Sequence, residues 1–334
     1  MKILHHNDND GRLAAYIVAR RAVQGPIAHN PDMFIEMTYN KPVPLDKILK
    51  GETVWIVDFS ISPEDMKRLL DITPNVLWID HHASAIKRYE DWDGPRIEGW
   101  REVGTSGCML TWQYLAAKAT NDMAPEWVKL VDDYDVWTFK YGDRTRDFFF
   151  GVMGEQTEPG PGCIWEQLYE QDADVLDIVN AGKTIRSYLK TMYEEQVKDY
   201  AYVVTYKGFN TIVLNTANRG STVFGLGTRL YDLCVTTTWN GQQWKLGFYS
   251  EKEHVDCTSL AMELGGGGHK GAAGAFVDAL PEEFGKLSRQ TSDAVEIMED
   301  MYGKVTDKQR LKAAMDDIFN LQTKLDRIRK VLDE

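Results

Sequence analysis

Three short apolar stretches each run into side chains that bind divalent cations. Lys2–Leu4 leads into His5, His6, Asp8 and Asp10, Thr53–Val57 leads into Asp58, and Val76–Ile79 leads into Asp80, His81 and His82. Each group alone has an ordinary explanation. An Asp after a strand is often a helix cap or turn residue, and Asp8-Asn9-Asp10-Gly11 by itself reads as a turn. Gathered at one place, however, these carboxylates and imidazoles would repel one another unless a cation joined them. Carboxylates with one or two imidazoles and no thiolate suit manganese or magnesium better than a structural zinc. A central carboxylate can bridge two ions about 3.5–4 Å apart, and such a pair activates water and clamps phosphoryl oxygens. Five of the seven histidines (His5, His6, His81, His82 and His269) lie in these groups or beside a glycine run; His29 and His254 do not.

The elements that must position these groups are legible around them. Lys2–His6, Thr53–Val57 and Val76–Ile79 read as strands, and Arg12–Ala22 has helical spacing at Leu13, Ile17 and Val18. Ser62-Pro63-Glu64 opens a further helix with a capping serine, Pro at the first position and acid in the first turn. Nearly continuous apolar strands separated by helices predict a parallel sheet covered on both faces. In such open α/β sheets, ligands bind beyond the carboxyl ends of the strands, so the three groups are expected to meet in one crevice. Helices are expected at Ser106–Ala119 and Glu126–Asp132, a loop at Gly151–Gly162, and one long helix over Ala181–Tyr202. Thr105-Ser106-Gly107 reads as a cap, with an anion site at that helix start as the alternative. A second α/β unit follows, with strands at Thr211–Leu214, Leu233–Thr238 and Lys245–Tyr249. It closes on the run Gly265–Gly268, His269, Lys270 and Gly271. Successive glycines let backbone N–H groups approach an anion. His269 and Lys270 add donors for a terminal phosphate or a base. Helix at Thr258–Leu264 and strand at Ala272–Val277 argue that the run is more than a linker.

At this point a resemblance is plain. Asp80-His81-His82 after an apolar strand resembles the signature of the DHH phosphoesterase superfamily. His6-x-Asp8-x-Asp10-Gly11 resembles its first motif, Val54–Asp58 its second and Asp132–Trp137 its fourth. Gly265–Gly274 resembles the hallmark of the DHH-associated C-terminal domain. The match covers roughly residues 1–280 in the expected order. It implies that His6, Asp8, Asp10, Asp58, His81 and Asp133 are metal ligands, with Asp58 bridging. His5 competes with His6, and Asp132 and Asp135 compete with Asp133. It further implies that His82 contacts the scissile phosphate or protonates the leaving oxygen, with Asp80 orienting a histidine. Gly266, Gly267, Gly268, His269, Lys270 and Tyr249 are the expected substrate-binding residues. Many relatives carry arginine where this chain has Tyr249, which stacks on a base or packs.

The expected fold is therefore α/β: a parallel-sheet DHH-type domain over 1–180, a connecting helix over 181–202, a smaller α/β domain over 203–285 and a helical tail over 286–334. The tail spaces Leu311, Met315, Ile318, Leu325, Ile328 and Leu332 by threes and fours, which fits a docked helix or a dimerising coiled coil. Hydrophobic residues make up 43% of the 334, enough for a core in each domain. No apolar run approaches the roughly 20 residues that span a bilayer. The polar start after Met1–Leu4 lacks the pattern of a signal peptide, so the expected location is cytoplasmic and no membrane partner is expected. Four widely spaced cysteines fit buried thiols rather than a disulfide frame. The net charge of −13 disfavours coating of long nucleic acid, including duplex. The resulting expectation is a manganese-dependent two-metal phosphodiesterase, with magnesium as the alternative ion, that releases mononucleotides from short oligonucleotides or linear dinucleotides. The competing readings are a cyclic-dinucleotide phosphodiesterase, a single-strand exonuclease, a phosphatase of bisphosphorylated adenosine, and a non-catalytic nucleotide-binding protein.

Overall fold

The computed structural model describes residues 1–22, 31–39, 41–119, 123–217, 220–225 and 227–285. The expected helical tail and its dimerising role lie outside these residues, as do His29 and the side chain of His269. The chain divides into two compact units, Met1–Ser187 and Tyr188–Glu334.

The first unit is built on five parallel strands: β1 (Lys2–His6), β2 (Phe34–Met37), β3 (Val54–Val57), β4 (Val76–Asp80) and β5 (Glu98–Arg101). Their spatial order is β2-β1-β3-β4-β5. Register pairs Ile3 with Trp55 and Trp55 with Leu77. Because side chains alternate across a strand, the sheet feeds two cores. Ile3, Trp55, Val57 and Ile79 pack with α1 (Asn9–Ala22), and in the same cluster lie residues of α4 (Gly107–Ala119), α5 (Glu126–Asp135), α6 (Asp143–Val152) and α7 (Ile164–Glu170). Leu4, Ile56 and Trp78 face the other way, with Phe59 and with Met66 and Leu69 of α2 (Pro63–Ile72). A short helix, α3 (Ala83–Lys87), follows β4. Ile3, Leu4, Ile56 and Val57 are fully buried, each burial stabilising by about 1.5–3 kcal/mol. Ser62 caps α2 as its sequence suggested, its Oγ accepting from Asp65 N–H at 3.0 Å.

The crossover from β1 to β2 returns on one side of β1, and the next crossover places β3 on the other. The chain therefore reverses direction across the sheet between β1 and β3, and in this strand order that switch point is where ligands bind. His6 and Asp58 stand at that point.

The long helix α8 (Val175–Tyr200) begins and ends earlier than its periodicity suggested. Ala201–Tyr206, partly assigned to it above, is instead β6, paired antiparallel with β7 (Phe209–Asn215). The β-branched Val203 and Val204 suit that strand. Lys207 and Gly208, with φ of 50° and 86°, form the two-residue turn between them. β8 (Leu233–Trp239) runs parallel to β7, and β9 (Trp244–Tyr249) antiparallel to β8. β10 (Gly267–His269) and β11 (Ala272–Val277) complete a six-stranded sheet ordered β10-β11-β9-β8-β7-β6. Short helices α9 (Gly227–Leu230), α10 (Cys257–Met262) and α11 (Glu282–Gly285) flank it. The glycine run is an edge strand with a two-residue connection at Lys270-Gly271, not a loose linker. Gly268 has φ of 148°, and a Cβ there would stand 2.5 Å from Ala273 Cα, so only glycine pairs so closely with β11. The four cysteines are free and buried. No helix of the described residues is long and apolar enough to cross a membrane.

Candidate active site

The carboxyl ends of β1, β3 and β4 converge as the sequence required. His6 ends β1, and two residues on Asp8 opens α1: its Oδ1 accepts from Gly11 N–H at 2.9 Å while Oδ2 lies 2.5 Å from His6 Nδ1. Asp8 thus caps a helix and joins the cluster at once. Burial would raise its pKa, but the His6 contact and the Gly11 N–H outweigh this and hold it down to about 2. Asp10, in the first turn of α1, is buried and accepts from Gly107 N–H at 2.6 Å and Cys108 N–H at 2.8 Å. The start of α4 is thereby filled by the chain's own carboxylate. Ser106 caps it, its Oγ accepting weakly from Met109 N–H at 3.4 Å.

Asp58 lies at the centre. It follows β3 with φ of 51°, a left-handed conformation that short acidic side chains tolerate. It is 1% exposed, and neither carboxylate oxygen receives a hydrogen bond. His81 Nε2 stands 3.1 Å from Oδ1, and His6 Nδ1 stands 3.8 Å from Oδ2. Burial first, then the negative charges of Asp10, Asp8, Asp135 and Asp80, push its pKa well above the usual carboxylate range. Asp135 is pushed up for the same reasons by Asp10, Asp8 and Asp132. Gly107 makes room for this: a Cβ there would meet Asp58 Cβ at 2.5 Å.

Three overlapping sets of ligand atoms result. His6, Asp8 and Asp58 form one, Asp10, His81 and Asp135 a second, and Asp58, His81 and His82 a third, the atoms of each lying within 4.8 Å of one another. His81 Nε2 is 3.3 Å from Asp135 Oδ2 and 3.8 Å from Asp10 Oδ2. Burial lowers the His81 pKa and favours the neutral, ligating imidazole. An orphaned, fully buried carboxylate between two such sets costs on the order of several kcal/mol without a cation. The residues therefore fit a divalent metal, with a donor set of oxygen and imidazole.

Asp80 and His82 form a further pair at the edge of the cluster, with His82 Nδ1 3.9 Å from Asp58 Oδ1. Asp80 Oδ1 accepts from the backbone N–H of His81 at 2.8 Å and of His82 at 3.2 Å, and lies 2.7 Å from His82 Nδ1. Burial would lower His82, but the Asp80 hydrogen bond and charge outweigh it, and its pKa is raised.

The geometry departs from the sequence expectations at Asp133, at Gly266 and at Tyr249. Asp133 does not join the cluster: its carboxylate accepts from Thr138 Oγ1 at 2.5 Å, Lys140 N–H at 2.8 Å, Tyr141 N–H at 3.2 Å and the Thr145 hydroxyl. Asp135, one of its two competitors, stands in the fourth-motif position, and Asp132 accepts from Ser106 N–H at 2.9 Å. His5 is buried, its Nδ1 2.7 Å from His6 O, so His6 alone of the pair faces the cluster. In the second unit, the Gly265 and Gly266 N–H groups donate to Met262 and Ala261 carbonyls at 3.0 and 2.8 Å. Gly267, Gly268 and Lys270 remain exposed on the edge. Tyr249 packs against the core of Ile212, Leu214 and Cys234, with burial raising its pKa and a bond to Thr236 lowering it less.

Other features had no sequence signal. A cavity of about 200 Å³ opens beside Asp8, Asp10 and Asp135, with Tyr134 and Phe149 among its walls. Their rings stack parallel at 3.6 Å. On the opposite flank Tyr39, just past β2, lies 5.6 Å from His6 and 6.3 Å from His82. Burial, Asp80 and Asp58 raise its pKa, so its hydroxyl stays neutral.

The fold and site thus define a cluster of His and Asp side chains that could hold a divalent metal, at the switch point of a parallel α/β sheet. No protein-family profile matches the chain. Among curated proteins it is 24% identical over 241 residues to an uncharacterized protein of Acanthamoeba polyphaga mimivirus, spanning 69% of this chain and 54% of that one. The match thus spans about half the length of that relative. It is 21% identical over 315 residues to oligoribonuclease NrnB of Bacillus subtilis, spanning 81% and 71%. Among solved structures, an exopolyphosphatase-related protein of Bacteroides fragilis shares the fold, with a TM-score of 0.51, 16% identity and coverage of 91% and 94%. Its ordered motifs resemble those of the DHH superfamily, and its fold is shared with that structure.

Proposed function

We propose that the protein is a two-metal phosphodiesterase that hydrolyses short oligonucleotides or linear dinucleotides to mononucleotides. The observation that carries this reading is Asp58, a buried carboxylate with both oxygens unbonded between two sets of His and Asp ligands. His6, Asp8 and Asp58 would hold one ion, Asp10, His81 and Asp135 the other, and Asp58 would be shared. Manganese suits this set, with magnesium as the alternative. Bound ions of this kind lower the pKa of water and neutralise charge building on phosphoryl oxygens.

The chain's own residues supply the rest. Asp80 holds Nδ1 of His82 at 2.7 Å, so proton transfer to the leaving oxygen falls to Nε2. The raised pKa of His82, from its Asp80 hydrogen bond, favours the protonated form that this role needs. In the second unit, the edge at Gly267, Gly268, His269 and Lys270, with Gly266 shaping its start, is the proposed grip for a terminal phosphate. The likeness to a protein named oligoribonuclease supports the substrate class. The net charge of −13 supports small over long substrates.

The test is incubation with Mn²⁺ and end-labelled substrates: a linear dinucleotide, a five-nucleotide RNA, long single-stranded DNA, a cyclic dinucleotide, bisphosphorylated adenosine and pyrophosphate. Mononucleotide release from the first two, lost in Asp58→Ala, is expected. Turnover confined to the other four would keep the metal centre and overturn the substrate.

A further inference from the structure

Tyr39 is 52% exposed, yet it is not a loose surface ring. Its underside rests on Phe59, with centroids 4.7 Å apart and planes at 30°. Phe59 is itself buried at 3% exposure, directly follows Asp58, and has its carbonyl tied to Trp78 Nε1 at 3.0 Å. The result is an aromatic plate with a rigid base and an open upper side. It stands at the rim of the acidic cluster, on the flank of His6 and His82 rather than that of Asp10 and Asp135.

We propose that Tyr39 is the stacking platform for the nucleobase of the departing nucleoside. This rests on the phosphodiesterase reading above. The carboxylates of Asp80 and Asp58 act on Tyr39 more strongly than the Arg88 guanidinium does, so an uncharged flat group suits the plate better than an anion. A nucleobase meets that requirement, and every base offers a π-face. The plate's position beside His82 selects the base on the side that receives the proton. Tyrosine suits the role because a ring already fixed on Phe59 loses little freedom when a ligand docks. This also supplies the aromatic contact that Tyr249, packed in its own core, does not offer.

The test uses the full chain with Mn²⁺ and an uncleavable dinucleotide analogue whose bridging oxygen is replaced by methylene. Two further analogues each lack one base. Affinities are measured by calorimetry for wild type, Tyr39→Phe, Tyr39→Leu and Tyr39→Ala. Leucine preserves the packing on Phe59, and thermal melting checks each fold. Tyr39→Ala and Tyr39→Leu should weaken the complete analogue by about 5- to 150-fold, and Tyr39→Phe should bind like wild type. The loss should vanish only for the analogue lacking the base of the departing nucleoside, which product analysis of the cleavable parent identifies. Equal weakening of all three analogues, or of none, would overturn the platform. Hydrolysis by wild type with no effect of Tyr39→Ala on binding removes the platform alone. A Tyr39-dependent loss that vanishes for one single-base analogue only, without mononucleotide release, upholds base stacking at Tyr39 and removes the hydrolytic reading. Failure of wild type to bind any analogue removes both.

Discussion

Asp58 holds its position at a cost. Its pKa and that of Asp135 are raised above their unfolded values, so the metal-free folded protein keeps protons the unfolded chain has released. Their contribution is present below the ordinary carboxylate range and is lost as pH rises through the raised values. Asp8 and Asp133, held low, act oppositely: their contribution is present above that range and fades as pH falls through it. Asp58→Asn, which tolerates the left-handed backbone, should therefore stabilise the metal-free protein by about 1–3 kcal/mol near neutral pH. The gain should shrink toward pH 4, and denaturant titration in chelator would measure it. The same variant should lose Mn²⁺ binding. Asp133 and Asp135 should part company. Asp133→Ala strips four donors of their acceptor and should destabilise by roughly 3 kcal/mol or more. Asp135→Ala should melt near wild type but bind metal weakly. His82→Gln should keep metal binding and lower kcat by about 100- to 10,000-fold. Its pH–rate profile should lose the alkaline limb, since the wild-type acid is spent as pH rises through its raised pKa.

Elements meet at the site through backbone as much as through side chains. Helix α4 presents two N–H groups to Asp10, and its first residue, Gly107, leaves space for Asp58. Gly107→Ala would drive a methyl group into Asp58 Cβ. It should cost about 1–3 kcal/mol and weaken metal affinity although no ligand is changed. Comparing chemical denaturation with metal titration would separate the two effects. An unchanged metal affinity would mean that α4 can shift away without disturbing Asp58.

At the scale of the whole molecule, charge and metal set the behaviour. Mn²⁺ at about a hundred times its dissociation constant should stabilise the folded chain by about 2.7 kcal/mol, and Asp58→Ala should abolish that gain. With a net charge of −13, attack on long single-stranded DNA should quicken as salt screens repulsion, the Debye length falling from about 30 Å at 0.01 M to about 10 Å at 0.1 M. Cleavage of a dinucleotide should barely respond. The opposite trend, inhibition of the long substrate by salt, would reveal a basic track that the composition hides.

Much of this was written locally. The apolar runs Val54–Val57 and Val76–Ile79 announce buried parallel strands, and their acidic and histidine ends point to a cation, because that many ionised carboxylates together repel one another without one. Edge strands β2 and β5 escaped, since Phe34–Met37 and Glu98–Arg101 are short and only partly buried, so their pattern is weak. Tertiary structure alone decided the finer choices. His5 and His6 point to opposite sides of β1, and with both faces of the sheet covered, alternation could not say which side held the site. Asp132, Asp133 and Asp135 leave α5 in different directions, about 100° apart per residue, and only the packing of α5 on its neighbours sends Asp135 to His81 and Asp133 into a nest of Thr138, Lys140, Tyr141 and Thr145. Tyr39 had no motif at all; it reaches the site because β2 lies beside β1, a pairing between residues some thirty positions apart.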